Sequence, residues 1–275
     1  MDLQEGIFLG IVQGLTEFLP VSSSGHLVLV QSFIKGFRQP GVLFDVILHF
    51  GTLLAVVFFL RKDIYDMLKA MLPLKWHQKR GRDYDEDLIV TRRRLVLFIL
   101  VGTVCTGIIG VAFKDVIHGF FERVEVVALM LLVTGSLLFL SDRIKNTWRG
   151  DKDLNIYDGI IIGIVQAAAL MPGLSRSGST IAFGIFRKLD GETAARFSFL
   201  LSVPAVVGAT FFELKYISGV SPDDMVIYLA GMVAAAITGF LTLKILFFII
   251  NKRKLSVFAL YCWALGISTL IIKFV

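Results

Sequence analysis

The chain has 275 residues, of which 56% are hydrophobic and 18% are charged, and its mean hydropathy is +0.77. Soluble domains carry about 25% charged residues, so this composition excludes an ordinary soluble protein and indicates a single integral membrane domain over residues 1–275. The net charge of +6 is typical of basic loops on the cytoplasmic side of a membrane, and we expect no nucleic-acid partner.

The first predicted element, residues 3–35, is a broken helix. It is apolar, but a cluster of Pro, Ser and Gly at 20–25 interrupts it, which predicts two half-length helices. The same pattern returns at 156–188, with the interruption at 172–178. Broken backbone at membrane depth is tolerated only inside protein or around a water-filled cavity. We therefore predict two re-entrant hairpins, each of which enters and leaves the membrane on one side.

The other predicted elements are full membrane spans, which need about 20 mostly apolar residues. Six stretches qualify: 43–60, 94–112, 124–140, 195–214, 225–249 and 255–273. The predicted fold class is therefore all-α, a polytopic membrane protein with six full transmembrane helices and two re-entrant helical hairpins.

An internal repeat relates the two hairpins. Residues 6–13 (GIFLGIVQ) return at 159–166 (GIIIGIVQ) with six of eight positions identical, and the same offset of 153 relates 44–59 to 197–212. The repeat divides the chain into two halves, and these are residues 1–147 and 155–275. Paired broken helices at equivalent positions of two halves are the best sequence indication of a binding site in a membrane protein.

Loop charge predicts the orientation of the halves. The 61–93 connection is the most basic loop and has no counterpart in the second half, so we interpret it as a cytoplasmic insertion. Because each half has three full spans, the hairpins must hang from opposite faces, which predicts an inverted repeat with both termini outside the cytoplasm.

Small residues recur every four positions in the first helix of each hairpin. They are Gly6, Gly10 and Gly14 in the first half, and Gly159, Gly163 and Ala167 in the second. Such spacing lets helix backbones approach closely in lipid, so it predicts tight packing of both broken helices.

Polar residues gather at both breaks. Gln13 and Glu17 lie on the same helix face. An acidic side chain deep in an apolar segment is costly to bury, so we expect Glu17 to have a functional role. The first break supplies Ser22, Ser23, Ser24 and His26. The second break supplies Ser175, Arg176, Ser177, Gly178, Ser179 and Thr180.

These residue types suit a multiply charged anion. Helix N-termini bind anions, and a guanidinium offers a planar fork of donors to phosphate oxygens. A carboxylate beside a phosphate makes sense if it holds a divalent cation or moves a proton, and a histidine can act as acid, base or nucleophile. For Asp45 and His49, four residues apart in the first full span, we expect a structural or gating role rather than chemistry.

The two motifs at 13–26 and 172–180 resemble the signatures of the undecaprenyl-diphosphate phosphatase (BacA/UppP) family, and the resemblance extends over essentially the whole chain. It implies a bacterial inner-membrane enzyme that converts undecaprenyl diphosphate to the monophosphate for cell-wall synthesis and contributes to bacitracin resistance. It also implies a divalent-cation requirement (Mg²⁺ or Ca²⁺) and an active site that opens to the periplasm. One departure is Gln13, where many members have Glu, so Glu17 is the sole carboxylate of the pair.

The mechanism that follows leaves the nucleophile open. Arg176 and the backbone N–H groups near 175–180 are expected to clamp the diphosphate, while Glu17 binds the metal or positions a proton. His26, Ser23 or a water molecule then attacks the terminal phosphorus. The alternative function is a transporter or flippase of an anionic polyprenyl lipid, because inverted repeats with broken helices are typical of transporters.

Overall fold

The computed structural model describes residues 1–33, 42–73, 86–121, 123–213, 220–252 and 254–274, and these residues form α-helices without a β-sheet. The helices of the first part of the chain are α1 (Leu3–Phe18), α2 (Ser23–Phe33), α3 (Val42–Phe59), α4 (Arg61–Ala70), α5 (Glu86–Ala112), α6 (Lys114–Phe121) and α7 (Val124–Asp142). Those of the second part are α8 (Ile156–Ala168), α9 (Arg176–Phe186), α10 (Gly191–Glu213), α11 (Pro222–Asn251) and α12 (Ser256–Phe274).

Five of these helices, α5, α7, α10, α11 and α12, are long and apolar enough to cross a membrane. A sixth crossing is present if α3 and α4, which meet at an angle of 74°, are taken together. The prediction of an all-α protein with several membrane spans is confirmed.

Both predicted helix breaks are present, and each contains one residue with positive φ and a serine cap, although only in the first break is the capping serine itself the residue with positive φ. In the first break, Ser22 lies in the left-handed region at φ 70°, and its hydroxyl accepts a hydrogen bond from Gly25 N at 3.2 Å. In the second, Gly173 has φ +91°, and the Ser175 hydroxyl accepts from Gly178 N at 3.0 Å. Each break therefore ends on a serine that caps the following half-helix.

The first helix of each hairpin packs against a helix from the other half of the chain. α1 lies along α11 and α8 lies along α5. A Cβ at Gly10 would collide with the backbone of Gly231, and one at Gly163 would collide with the backbone of Gly102. The predicted close packing is confirmed, and it brings both breaks into the interior of the helix bundle.

A buried ion cluster fastens the second hairpin at its open end. Arg149 Nη2 contacts Asp158 Oδ2 at 2.5 Å, and Arg187 Nε bonds the other carboxylate oxygen. Asp158 lies in the first turn of α8, and Arg187 directly follows α9. The cluster therefore holds the start and the end of the hairpin together.

Candidate active site

The carboxylate of Glu17, in the last turn of α1, is the centre of the candidate site. Arg176 Nη2 donates to its Oε1 at 2.5 Å, while Ser23 Oγ and Gln13 Nε2 donate to its Oε2 at 2.6 and 2.9 Å. Ser23 and Arg176 are the first residues of α2 and α9. The two helix breaks, about 150 residues apart in sequence, therefore meet at one carboxylate.

The pair of Glu17 and Arg176 is largely withdrawn from solvent, with side chains that are 7% and 17% exposed. Arg176 Nη1 is also buried, and no described residue accepts its hydrogens. A guanidinium N–H group without an acceptor suits a phosphate oxygen, because charge-assisted bonds to phosphate are strong and directional.

A cavity of about 240 Å³ opens beside this cluster. Its polar wall is formed by Glu17, Ser22, Ser23, Ser24, His49, Thr106, Gln166, Ser175, Arg176, Ser202 and Thr210. Its apolar wall is formed by Val46, Phe121, Ala169, Leu170, Leu174, Ala205, Val206 and Ala209. Ligand pockets typically measure about 300–1,000 Å³, so this cavity is smaller than a drug-sized site and suits a polar headgroup rather than a whole lipid.

His26, a predicted catalytic residue, does not line this cavity. Its Nδ1 donates to the Ser22 carbonyl at 2.8 Å, and its Nε2 lies 2.7 Å from the Tyr261 hydroxyl. The two rings are stacked, with centroids 5.6 Å apart. His26 therefore braces the strained turn at Ser22, which immediately precedes Ser23.

The predicted diphosphate-binding residues divide into two groups. Ser22, Ser24 and Ser175 line the cavity, and Gln13 lies behind Glu17. Four others, Ser177, Gly178, Ser179 and Thr180, are buried in α9 away from the cavity wall. Ser177 and Thr180 instead hydrogen-bond to backbone carbonyls of Glu17 and Arg176, at 3.2 and 2.7 Å. A role for these four in binding stays a prediction, and the contacts of Ser177, Gly178 and Thr180 support the break.

His49 enters the site from α3. Its Nδ1 lies 2.8 Å from Gln13 Nε2 and 3.3 Å from Glu17 Oε2, and the ring lines the cavity. The sequence prediction for this residue was a structural or gating role. One signal pointed to the site: the repeat offset of 153 relates His49 to Ser202, another residue of the cavity wall.

Oxygen ligands for a divalent cation are present but few. In the described part of the chain, no three His, Cys, Asp or Glu side chains lie close enough to hold a metal ion by themselves. Gln13 Oε1 is buried beside Glu17 without a hydrogen-bond partner. A carboxylate with one amide oxygen suits a hard cation that takes its other ligands from a bound phosphate and water.

Comparison with known proteins gives concordant matches over nearly the whole chain. The family model described as bacitracin resistance protein BacA matches residues 6–268. The chain is 45% identical to the undecaprenyl-diphosphatase of Syntrophotalea carbinolica over 97% of each protein. It is 40% identical to that of Halothermothrix orenii, over 99% of this chain and 98% of the relative, and 41% identical to that of Methanobrevibacter smithii, over 97% and 96%.

Proposed function

The chain belongs to the bacitracin resistance protein BacA family, and from that premise we propose that it is an undecaprenyl-diphosphatase. It hydrolyses undecaprenyl diphosphate to undecaprenyl phosphate and inorganic phosphate, which recycles the lipid carrier for cell-wall synthesis and contributes to bacitracin resistance. The observation that carries this function is the meeting of Ser23, Glu17 and Arg176 at one cavity inside a membrane-spanning bundle.

We infer that Ser23 is the nucleophile. Its hydroxyl lines the cavity and already donates to Glu17 Oε2, so a base is in place to take its proton. His26 lies behind the turn and has both ring nitrogens engaged, so its contacts favour a positioning role. A phosphohistidine at His26 or direct attack by water are the alternatives that a trapped phosphoenzyme would reveal.

The reaction then takes two balanced steps. Ser23 Oγ attacks the terminal phosphorus, the bond from that phosphorus to the bridging oxygen breaks, and Glu17 passes the serine proton to the departing undecaprenyl phosphate. Water next attacks the phosphoserine, and Glu17 accepts a proton from it. That proton returns to Ser23 Oγ as inorganic phosphate leaves. Arg176 stabilises the charge that develops on the phosphoryl oxygens in both steps.

A divalent cation, Mg²⁺ or Ca²⁺, is part of the proposal. Glu17 would hold it together with the Gln13 amide oxygen, and the diphosphate would bring further oxygen ligands. When bound, the cation neutralises negative charge on the phosphates. We expect a chelator to abolish phosphate release, and added Mg²⁺ or Ca²⁺ to restore it.

For the architecture, we propose six full spans and two re-entrant hairpins in an inverted repeat. Matching serine caps at Ser22 and Ser175 support equivalent halves, as does the reciprocal packing of α1 on α11 and of α8 on α5. If the 61–93 loop is cytoplasmic, the chain reaches the outer side of the membrane after α5 and again at the end of α10. Phe121 ends α6, which follows α5, and Thr210 lies in the last turn of α10, and both line the cavity. Their position supports an active site that opens to the periplasm, with both termini on that side.

The second candidate function is flipping of the lipid carrier, which the reciprocal packing of the two halves favours. Purified protein in detergent has no second compartment, so phosphate release from undecaprenyl diphosphate in detergent separates hydrolysis from transport. We expect release that Ser23→Ala and Arg176→Ala abolish. Wild-type protein that binds the lipid but releases no phosphate would favour the flippase.

A further inference from the structure

The imidazole of His49 presents one edge to the cavity. Its side chain is 31% exposed, against 7% for Glu17, although both lie at the same cluster. Gln13 and Glu17 approach the ring only at Nδ1. Because Nδ1 is engaged on the Glu17 side and the ring lines the cavity, we infer that the edge carrying Nε2 faces the cavity.

Contacts at Nδ1 favour a ring hydrogen on Nε2. The amide nitrogen of Gln13 can only donate, so at 2.8 Å it bonds to a neutral ring whose Nδ1 accepts and whose hydrogen is on Nε2. In the protonated ring, Nδ1 can instead donate to Glu17 Oε2, which lies 3.3 Å away. In the protonated ring, Nε2 carries a hydrogen as well. Both of these forms of His49 therefore have an N–H donor at Nε2.

The charge of the expected substrate calls for donors beyond Arg176. The guanidinium is already paired with Glu17, which cancels its charge before a diphosphate arrives. Among the described cavity-lining residues, Arg176 and His49 are the two side chains able to carry a positive charge. They come from different helices, α9 and α3, and both contact Glu17.

We propose that His49 is a catalytic residue that binds the terminal phosphate of the substrate through its Nε2–H group. The contact complements Arg176 and keeps the terminal phosphorus beside Ser23 Oγ. This inference rests on the proposed phosphatase function and assigns to it a substrate contact from α3.

Two amide substitutions separate this role from an indirect one. The amide nitrogen of Gln can reach the position of histidine Nε2, whereas that of Asn reaches only the position of Nδ1. We expect His49→Asn to raise the KM for undecaprenyl diphosphate about tenfold, equivalent to about 1.4 kcal/mol, and His49→Gln to raise it by a clearly smaller factor. If His49 acted only by holding Glu17, Asn would be the better replacement, and that order would overturn the proposal.

Val57→Ala, on an outward-facing part of the same helix, is the matched control and should keep the wild-type KM. Equal, wild-type KM values for both His49 variants would also overturn the proposal. Wild-type protein that releases no phosphate would instead refute the phosphatase function itself.

A binding measurement on the wild-type protein keeps the proposal testable if both variants lose activity. Protein with ¹⁵N-labelled histidine is titrated with a non-hydrolysable prenyl methylenediphosphonate, and the His49 signal is assigned by its loss in His49→Asn. A shift of the Nε2 resonance on binding is expected. An unchanged His49 resonance at saturating ligand would overturn the contact.

Discussion

Arg176→Ala removes the guanidinium partner of a buried carboxylate and should damage stability and catalysis together. The two side chains are 17% and 7% exposed and meet at 2.5 Å. Breaking a buried ion pair by deleting one partner costs about 3–5 kcal/mol, because the other charge stays buried. Hydrogen bonds from Ser23 and Gln13 remain on Glu17, so we expect about 3 kcal/mol, the lower end of that range.

The double variant Arg176→Ala with Glu17→Gln separates the two effects. Replacing the stranded carboxylate by an amide should restore at least half of the lost stability, whereas phosphate release should stay at background. Thermal melting in detergent measures the first, and release from undecaprenyl diphosphate measures the second. Arg176→Lys is the charge-conserving control and should stay folded but lose rate, since an ammonium lacks the planar fork. Arg176→Ala protein that melts and turns over like wild type would show that Arg176 has neither role.

Three further variants test the rest of the account. Ser23→Ala should lower the rate of phosphate release at least a thousandfold. It should also abolish the acid-stable phosphoserine that forms when wild-type protein is quenched during turnover. A phosphate found on a residue other than Ser23 would contradict the role of Ser23 as nucleophile. Tyr261→Phe removes the hydroxyl that contacts His26 Nε2, so activity should fall less than tenfold and the melting temperature should fall slightly. A loss of activity as large as that of Ser23→Ala would instead indicate a catalytic role for Tyr261. Gly163→Leu should prevent folding because the new leucine side chain would overlap the backbone of Gly102. Gly107→Leu is the control and should fold, because the space beside Gly107 is open. Equal yields of folded protein from the two variants would contradict the close packing of α8 on α5.

The helix breaks and the packing stripes could be predicted because they depend on local chemistry. Proline at 20 and 172 and the following serines end one helix and cap the next, whatever surrounds them. Glycine at every fourth position selects a helix face for close approach. The repeat then indicated that two such breaks would be equivalent, which made Glu17 and Arg176 candidates for one site.

The partners across helices could not be predicted, since they depend on how the helices rotate and pack. His26 lies in the first motif, yet its ring turns to Tyr261, 235 residues away. His49 lies outside both motifs, yet α3 places its ring against the Glu17 carboxylate. The short helix α6, which carries Phe121 to the cavity wall, lies between the predicted spans 94–112 and 124–140, where the sequence predicted no helix.

We propose that both helix breaks bind a single diphosphate. The most direct measurement is an experimental structure of the protein with undecaprenyl methylenediphosphonate, which locates both phosphorus atoms. We predict that the terminal phosphorus lies beside Ser23 Oγ, with Arg176 bonded to its oxygens and Glu17 in the same cluster. A diphosphate bound at one break only, out of reach of the other, would contradict the account.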